Sequence, residues 1–362
     1  MRRAVGIWAA MQRLVLWLSF LLAAVAASED TASSCPSLVD FRAGGLTASI
    51  VRELAQGSGS RSLAWLADEA TFFHFEGHDG IPLQGYALNK SSETDISKPV
   101  LIYVAGWTET SLKYSPFLRT LHEVHKYPVY SFDLRGQGFS NTTFDDQGRV
   151  THIDTFAEYV EDLAAFAKIV VGSGRRDVVY VGNSLAGLVG LAAQQKHSLF
   201  SRLCLAAPVI RPSATLNPLV RSALYAAHQL GLGKFLPVRL SQDISTLKLT
   251  HNADHLDAWQ RLRSLAPAQL HVQGPSLSWL SEVTEAGAAV LAAARHMRRP
   301  LLLFVAEDDV FVDNASIFRF AEEHGGSTKL VKIEASWHEL YLEDEGVLSK
   351  LLPELLSFLQ HQ

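Results

Sequence analysis

The chain has 362 residues, 48% of them hydrophobic, with 37 acidic against 32 basic side chains and a formal net charge of -5. Such a chain can bury a large core in one domain plus an insertion. Its mild acidity and lack of a basic stripe argue against a nucleic-acid-binding role, and no His/Cys cluster with ligand spacing points to a metal or other cofactor.

At the N-terminus Arg2, Arg3 and Arg13 precede the apolar run 14–27, which closes on Ala24-Val25-Ala26-Ala27-Ser28. This pattern predicts a secretory signal peptide over residues 1–27 with a small-residue cleavage site. Its apolar core is short of the ~20 residues that a membrane span needs. The expected location is therefore outside the cell, in a secretory lumen or in a periplasm, with membrane anchoring as the lesser alternative. Residues 28–70 read as an N-terminal extension, with Gln56-Gly-Ser-Gly-Ser60 as a loop. Cys35 and Cys204 are expected to remain unpaired, since Cys204 falls inside a predicted strand.

From residue 71 the pattern alternates. A strand pair is predicted over 71–88, strands over 100–104 and 129–133, helices over 114–124 and 155–171, and strands over 178–181 and 202–206. Strands over 301–305 and 330–333 close the series. Strands alternating with helices signal an α/β fold with a mostly parallel sheet flanked by helices. Between 208 and 299 the alternation breaks into helical patterns with no convincing strand. The organisation read from this is a core in two parts, 71–208 and 300–362, separated by a helical cap at 209–299.

The most informative stretch is Val178-Val-Tyr-Val-Gly-Asn-Ser-Leu-Ala-Gly187, a buried strand running into a tight small-residue turn. In a nucleophile elbow, the serine takes a strained conformation that lifts its hydroxyl clear of the sheet, and its neighbours must be small. Gly182 and Ala186 meet that demand around Ser184. A simple helix-capping serine is the competing reading. Further along, the apolar strand at 301–305 ends in Glu307-Asp308-Asp309. One carboxylate there would orient a histidine and stabilise its cation. Asp309 is preferred because Val310-Phe311-Val312 should pack inward and fix its direction, with Asp308 as the second choice. Among the 14 histidines, His338 lies in the loop directly after the last strand, in Glu334-Ala-Ser-Trp-His338, where a base is needed.

Several segments carry a family resemblance: Gly106-Trp-Thr-Glu-Thr-Ser-Leu-Lys-Tyr114, Asp133-Leu-Arg-Gly-Gln-Gly-Phe-Ser140, Gly182-Asn-Ser-Leu-Ala-Gly187, Leu249-Thr-His251, Gly274-Pro-Ser-Leu-Ser-Trp279 and Ala335-Ser-Trp-His-Glu339. Together they resemble the lysophospholipase and monoacylglycerol-lipase branch of the α/β-hydrolases (serine aminopeptidase S33-like), nearest to bacterial membrane-associated lysophospholipases. The order serine, acid, histidine is that of the fold. The resemblance covers roughly residue 70 to the end and implies Ser184 as nucleophile, Asp309 as acid and His338 as base. It also implies an oxyanion hole from the backbone N–H groups of Trp107 and Leu185, a cap over the serine, and a lipid ester as substrate. Two departures stand out. The His-Gly that many relatives carry after the third strand is Ala105-Gly106 here, and Asn183 replaces a frequent histidine, with little expected effect on the mechanism.

In the cap, Leu219, Leu224 and Phe235 would line an acyl-chain tunnel or simply seat the cap on the core. Arg295, His296, Arg298 and Arg299 could touch a membrane surface, although charge at a helix end is the simpler account. Asn89, Asn141 and Asn314 head possible glycosylation sequences. An aminopeptidase-like amide hydrolase, with Glu282 and Glu285 holding a substrate amine, and a catalytically silent binding protein are the alternatives.

Overall fold

The computed structural model describes residues 46–89, 97–140, 149–172, 177–213, 231–236, 240, 243–245 and 247–360. The predicted signal peptide, Cys35, Asn141, Leu219 and Leu224 lie outside the described residues.

The described residues form ten strands: β1 (Thr71–Glu76), β2 (Pro82–Leu88), β3 (Val100–Val104), β4 (Val129–Phe132), β5 (Arg149–Thr151), β6 (Val178–Asn183), β7 (Arg202–Ala206), β8 (Val272–Pro275), β9 (Leu301–Ala306) and β10 (Thr328–Ile333). Eight of them form one sheet in the order β1-β2-β4-β3-β6-β7-β9-β10. The β1–β2 and β2–β4 pairs are antiparallel; every pair from β4–β3 onward is parallel. Strands β3, β6, β7 and β9 are buried throughout, as expected of strands covered on both faces.

Alternate strand residues feed two apolar layers. Leu101, Tyr103, Val179, Val181, Leu302 and Phe304 point to a layer completed by the C-terminal helix Glu345–Gln360 and by Ala253–Leu265. Ile102, Val104, Tyr180, Leu203, Leu303 and Val305 point to the other layer, under the helices Ala157–Gly172, Leu185–His197 and Leu277–Ala293.

The structure differs from the sequence reading in two places. The described part of the N-terminal extension is two amphipathic helices, Ala48–Ser58 and Arg61–Glu69, capped by the Thr47 and Ser60 side chains. The stretch read as a loop is the junction between them, turned by Gly59 at φ 71°. This helix pair is tied to the helix Ala253–Leu265, where Arg261 Nε donates to Ser58 O at 3.1 Å. The second difference is the β5–β8 pair: β5 is absent from the sequence reading, and β8 lies in the segment read as having no convincing strand. The two strands are parallel, and the helix Leu277–Ala293 that follows β8 packs on Leu185–His197. Short partners such as Val272-Gln-Gly-Pro275 carry too little alternation to be read from sequence.

Candidate active site

The parallel register aligns the carboxyl ends of the strands that carry the candidate residues. Val104 pairs with Gly182, Asn183 with Ala206, Ala206 with Phe304 and Ala306 with Ile333. The turns after β3, β6, β9 and β10 therefore open on one edge of the sheet, where ligands bind in open α/β folds.

Ser184 has φ 53° and ψ -122°, a backbone strain for a residue with a Cβ. It stands at the N-cap position of the helix Leu185–His197, but its side chain makes no capping hydrogen bond. The turn is held by main-chain bonds from Ser184 N to Ala206 O and from Val209 N to Ser184 O, both 3.0 Å. A Cβ on Gly187 would lie 2.6 Å from Pro208 Cβ, so the close approach behind the turn needs a glycine there. Ser184 is half-buried between fully buried neighbours.

After β9, Asp309 rather than Asp308 meets the histidine: His338 Nδ1 lies 2.7 Å from Asp309 Oδ2. Asp308 is exposed, and Glu307 pairs with Lys332. The predicted reason for Asp309 holds only in part. Val312 is buried, but Val310 is 48% exposed. What aims the carboxylate is the backbone, because Phe311 N and Val312 N donate to Asp309 Oδ1 at 2.8 and 3.1 Å. Burial pushes the His338 imidazole down, yet the Asp309 carboxylate, helped by Glu339 and Glu109, outweighs it and holds the ring above its ordinary value.

The loop after β3 is clamped on all sides. Gly106 N donates to Glu109 Oε2 at 3.0 Å, and Thr108 N donates to Gln137 Oε1 at 3.2 Å. Gln137 Nε2 in turn donates to Gly106 O and Glu109 O at 2.6 and 3.1 Å. Between the bonded amides of Gly106 and Thr108, the Trp107 N–H makes no hydrogen bond among the described residues. Its indole donates to Thr151 Oγ1 at 2.8 Å and stacks on Trp279 with ring centroids 4.5 Å apart. Thr108 at φ 66° shows that the loop is held in a strained form. The loop abuts the elbow, since a Cβ on Gly106 would lie 3.0 Å from Ser184 Cβ. Leu185 opens its helix, in the first turn, where N–H groups have no intrahelical partner.

Sequence reading missed the groups behind this edge. Gln137 belongs to the Gly-rich turn after β4, and its two-sided clamp holds the loop where Ala105 offers no imidazole. Asn183 is more than a bystander: its amide bridges Tyr103, Tyr114 and Glu109 at 2.9–3.1 Å. A polar residue in a buried strand end was the available signal.

Of the residues suggested for substrate contact, Phe235 is 61% exposed and Leu232 beside it 54%. Phe235 is attached through its backbone, whose carbonyl accepts from Leu277 N at 3.0 Å. Glu282 accepts from Phe156 N at 2.8 Å, which ties it to the core. Arg298 donates to the carbonyls of Arg295 and Met297, the helix-end role expected of it. Asn314 Nδ2 donates to Ala306 O at 2.8 Å, and Asn89 Nδ2 to the Tyr130 hydroxyl at 2.8 Å. Cys204 is buried and free, its thiol pushed up to about 12 by burial.

The chain is similar to known proteins along most of its length. Residues 95–345 match the family model described as serine aminopeptidase, S33. The chain is 28% identical over 311 residues to lysophospholipase L2 of Escherichia coli K12, covering 80% of this chain and 87% of that protein. Among solved structures, the monoacylglycerol lipase of Paleococcus ferrophilus aligns with a TM-score of 0.57 at 18% identity, over 72% of this chain and 95% of that one. A soluble variant of monoglyceride lipase from Saccharomyces cerevisiae aligns with a TM-score of 0.57 at 16% identity, over 80% and 94%. The chain belongs to the serine aminopeptidase S33 family and has the α/β-hydrolase fold.

Proposed function

We propose that the protein is a serine hydrolase that cleaves carboxylic esters of lipids, lysophospholipids or monoacylglycerols, through an acyl-enzyme on Ser184. The observation that carries the chemistry is the His338–Asp309 pair at 2.7 Å on the same sheet edge as the strained Ser184. His338 takes the Ser184 proton as the oxygen attacks the ester carbonyl, then delivers it to the departing alcohol. Water repeats the cycle on the acyl-enzyme. The Trp107 and Leu185 amides receive the negative charge of the tetrahedral intermediate, a role worth about 3 kcal/mol per donor.

The lipid substrate rests on the likeness to lysophospholipase L2 over most of the chain. Leu232 and Phe235 add an exposed apolar pair suited to transient contact with a membrane surface, where such substrates reside. Export through residues 1–27 belongs to the same proposal. Of the two carboxylates in the amide-hydrolase alternative, Glu282 is tied to the core by the Phe156 amide, which donates to its Oε2 at 2.8 Å.

Hydrolysis of lysophosphatidylcholine, monoacylglycerols and aminoacyl amides by the wild type and by Ser184→Ala tests this reading. Ester cleavage that disappears with the substitution supports it. Cleavage of amides alone would overturn the lipid assignment.

A further inference from the structure

Three charged side chains that the proposed chemistry does not use lie inside the protein, directly behind the reacting edge. The side chains of Lys113, Glu109 and Glu339 are 1%, 8% and 3% exposed. Burying such ions costs several kcal/mol each, and well-packed apolar residues often serve stability as well or better. The informative feature is therefore where their bonds go.

Glu109 Oε2 accepts from Gly106 N, one residue before Trp107, and from Asn183 Nδ2, one residue before Ser184. Glu109 Oε1 takes the Lys113 ammonium at 2.5 Å. Lys113 also donates to Glu339, the residue that follows His338. One cluster thus bonds to the three turns, after β3, β6 and β10, that carry the oxyanion donor, the nucleophile and the base.

We propose that Glu109, Lys113 and Glu339 are positioning residues: Lys113 locks the base-bearing turn to the oxyanion loop, and the surplus negative charge of the cluster supports the imidazolium of His338. This rests on the reading of Trp107, Ser184 and His338 given above.

The groups facing the cluster agree with that charge balance. Tyr114 donates to Glu109 at 2.8 Å, and Tyr103 from β3 reaches it through Asn183. Asp309 meets His338 at Nδ1. His255, from the helix Ala253–Leu265, is pushed down to about 3, first by burial and then by Lys113, so it is neutral and adds no positive charge. Burial foremost, with the neighbouring Glu109, raises the Glu339 carboxyl against the pull of Lys113. Its Oε2 is buried without a partner among the described residues.

The test is the pH dependence of the rate at which a fluorophosphonate labels Ser184, with kcat and KM for an ester substrate, in Lys113→Met, Lys113→Arg and Glu339→Gln. Lys113→Met, folded by circular dichroism, should label about 100-fold more slowly, the scale of a misplaced reacting group, with KM little changed. Lys113→Arg keeps the charge and should restore most of the rate. Glu339→Gln removes a negative neighbour of His338 and should move the acid limb to lower pH; if Lys113→Met fails to fold, this near-isosteric variant decides. A folded Lys113→Met that labels at the wild-type rate, or a Glu339→Gln limb that stays in place, would overturn the proposal. A wild type that labels on Ser184 but cleaves no lipid ester would overturn the substrate assignment alone; one that does not label would overturn the proposed nucleophile.

Discussion

Two buried ion clusters, built from the same ingredients of one cation and two carboxylates, sit in this molecule and are finished differently. Arg135 grips Asp162 with Nε and Nη2, both at 2.6 Å, and reaches Glu158 with Nη1. The spare carboxylate capacity is filled by the backbone amides of His78, Asp154 and Thr155. This clamp joins the turn after β4 to the helix Ala157–Gly172 and bonds to no turn bearing a proposed reacting group. In the Glu109–Lys113–Glu339 cluster a single ammonium serves both acids, and one oxygen of Glu339 is left over. A planar guanidinium has five donors in a fixed fork and can close such a network, whereas an ammonium has three. The completed cluster ties the turn after β4 to a helix; the incomplete one bonds to the segments that carry the proposed reacting groups.

The sharpest separation of catalysis from architecture is Asp309→Asn, which leaves both clusters intact. It should lower kcat about 10⁴-fold by favouring the wrong imidazole tautomer, with the melting temperature nearly unchanged in calorimetry. Asp162→Ala should do the reverse. Leaving the Arg135 charge buried with Glu158 alone should cost about 3–5 kcal/mol of stability in denaturant titration, with kcat of the folded fraction preserved. A smaller effect is expected for Gln137→Ala, which frees the Gly106–Glu109 loop: steady-state kinetics should show kcat lower by about 10- to 100-fold at little-changed KM. The gentlest test is the acid limb of kcat/KM. His338 must be neutral to accept a proton, and its partners hold it above its ordinary value, so activity should fall as pH drops through a midpoint above 6.5.

Much of the sheet was legible because its central strands are apolar on both faces and stand out against turn residues on either side. Ser184 and His338 were legible for a related reason, since each follows a strand at a place where the chain order of the fold demands chemistry. Asp309 was selected on inward packing, although two backbone amides do the aiming, a detail that sequence does not display. Gln137, Asn183 and the Glu109–Lys113–Glu339 cluster stayed hidden because their partners are up to 226 positions apart. Local periodicity carries no trace of such contacts. The helices Ala48–Ser58 and Arg61–Glu69 were masked by the Gly-Ser-Gly-Ser run, which reads as a flexible loop but ends one helix and caps the next.

The account depends most on one oxygen, that of Ser184. Mass spectrometry of the fluorophosphonate-treated wild-type protein should find a single adduct on the peptide containing Ser184, and none in Ser184→Ala. An adduct on another residue, or labelling that persists after the substitution, would contradict it.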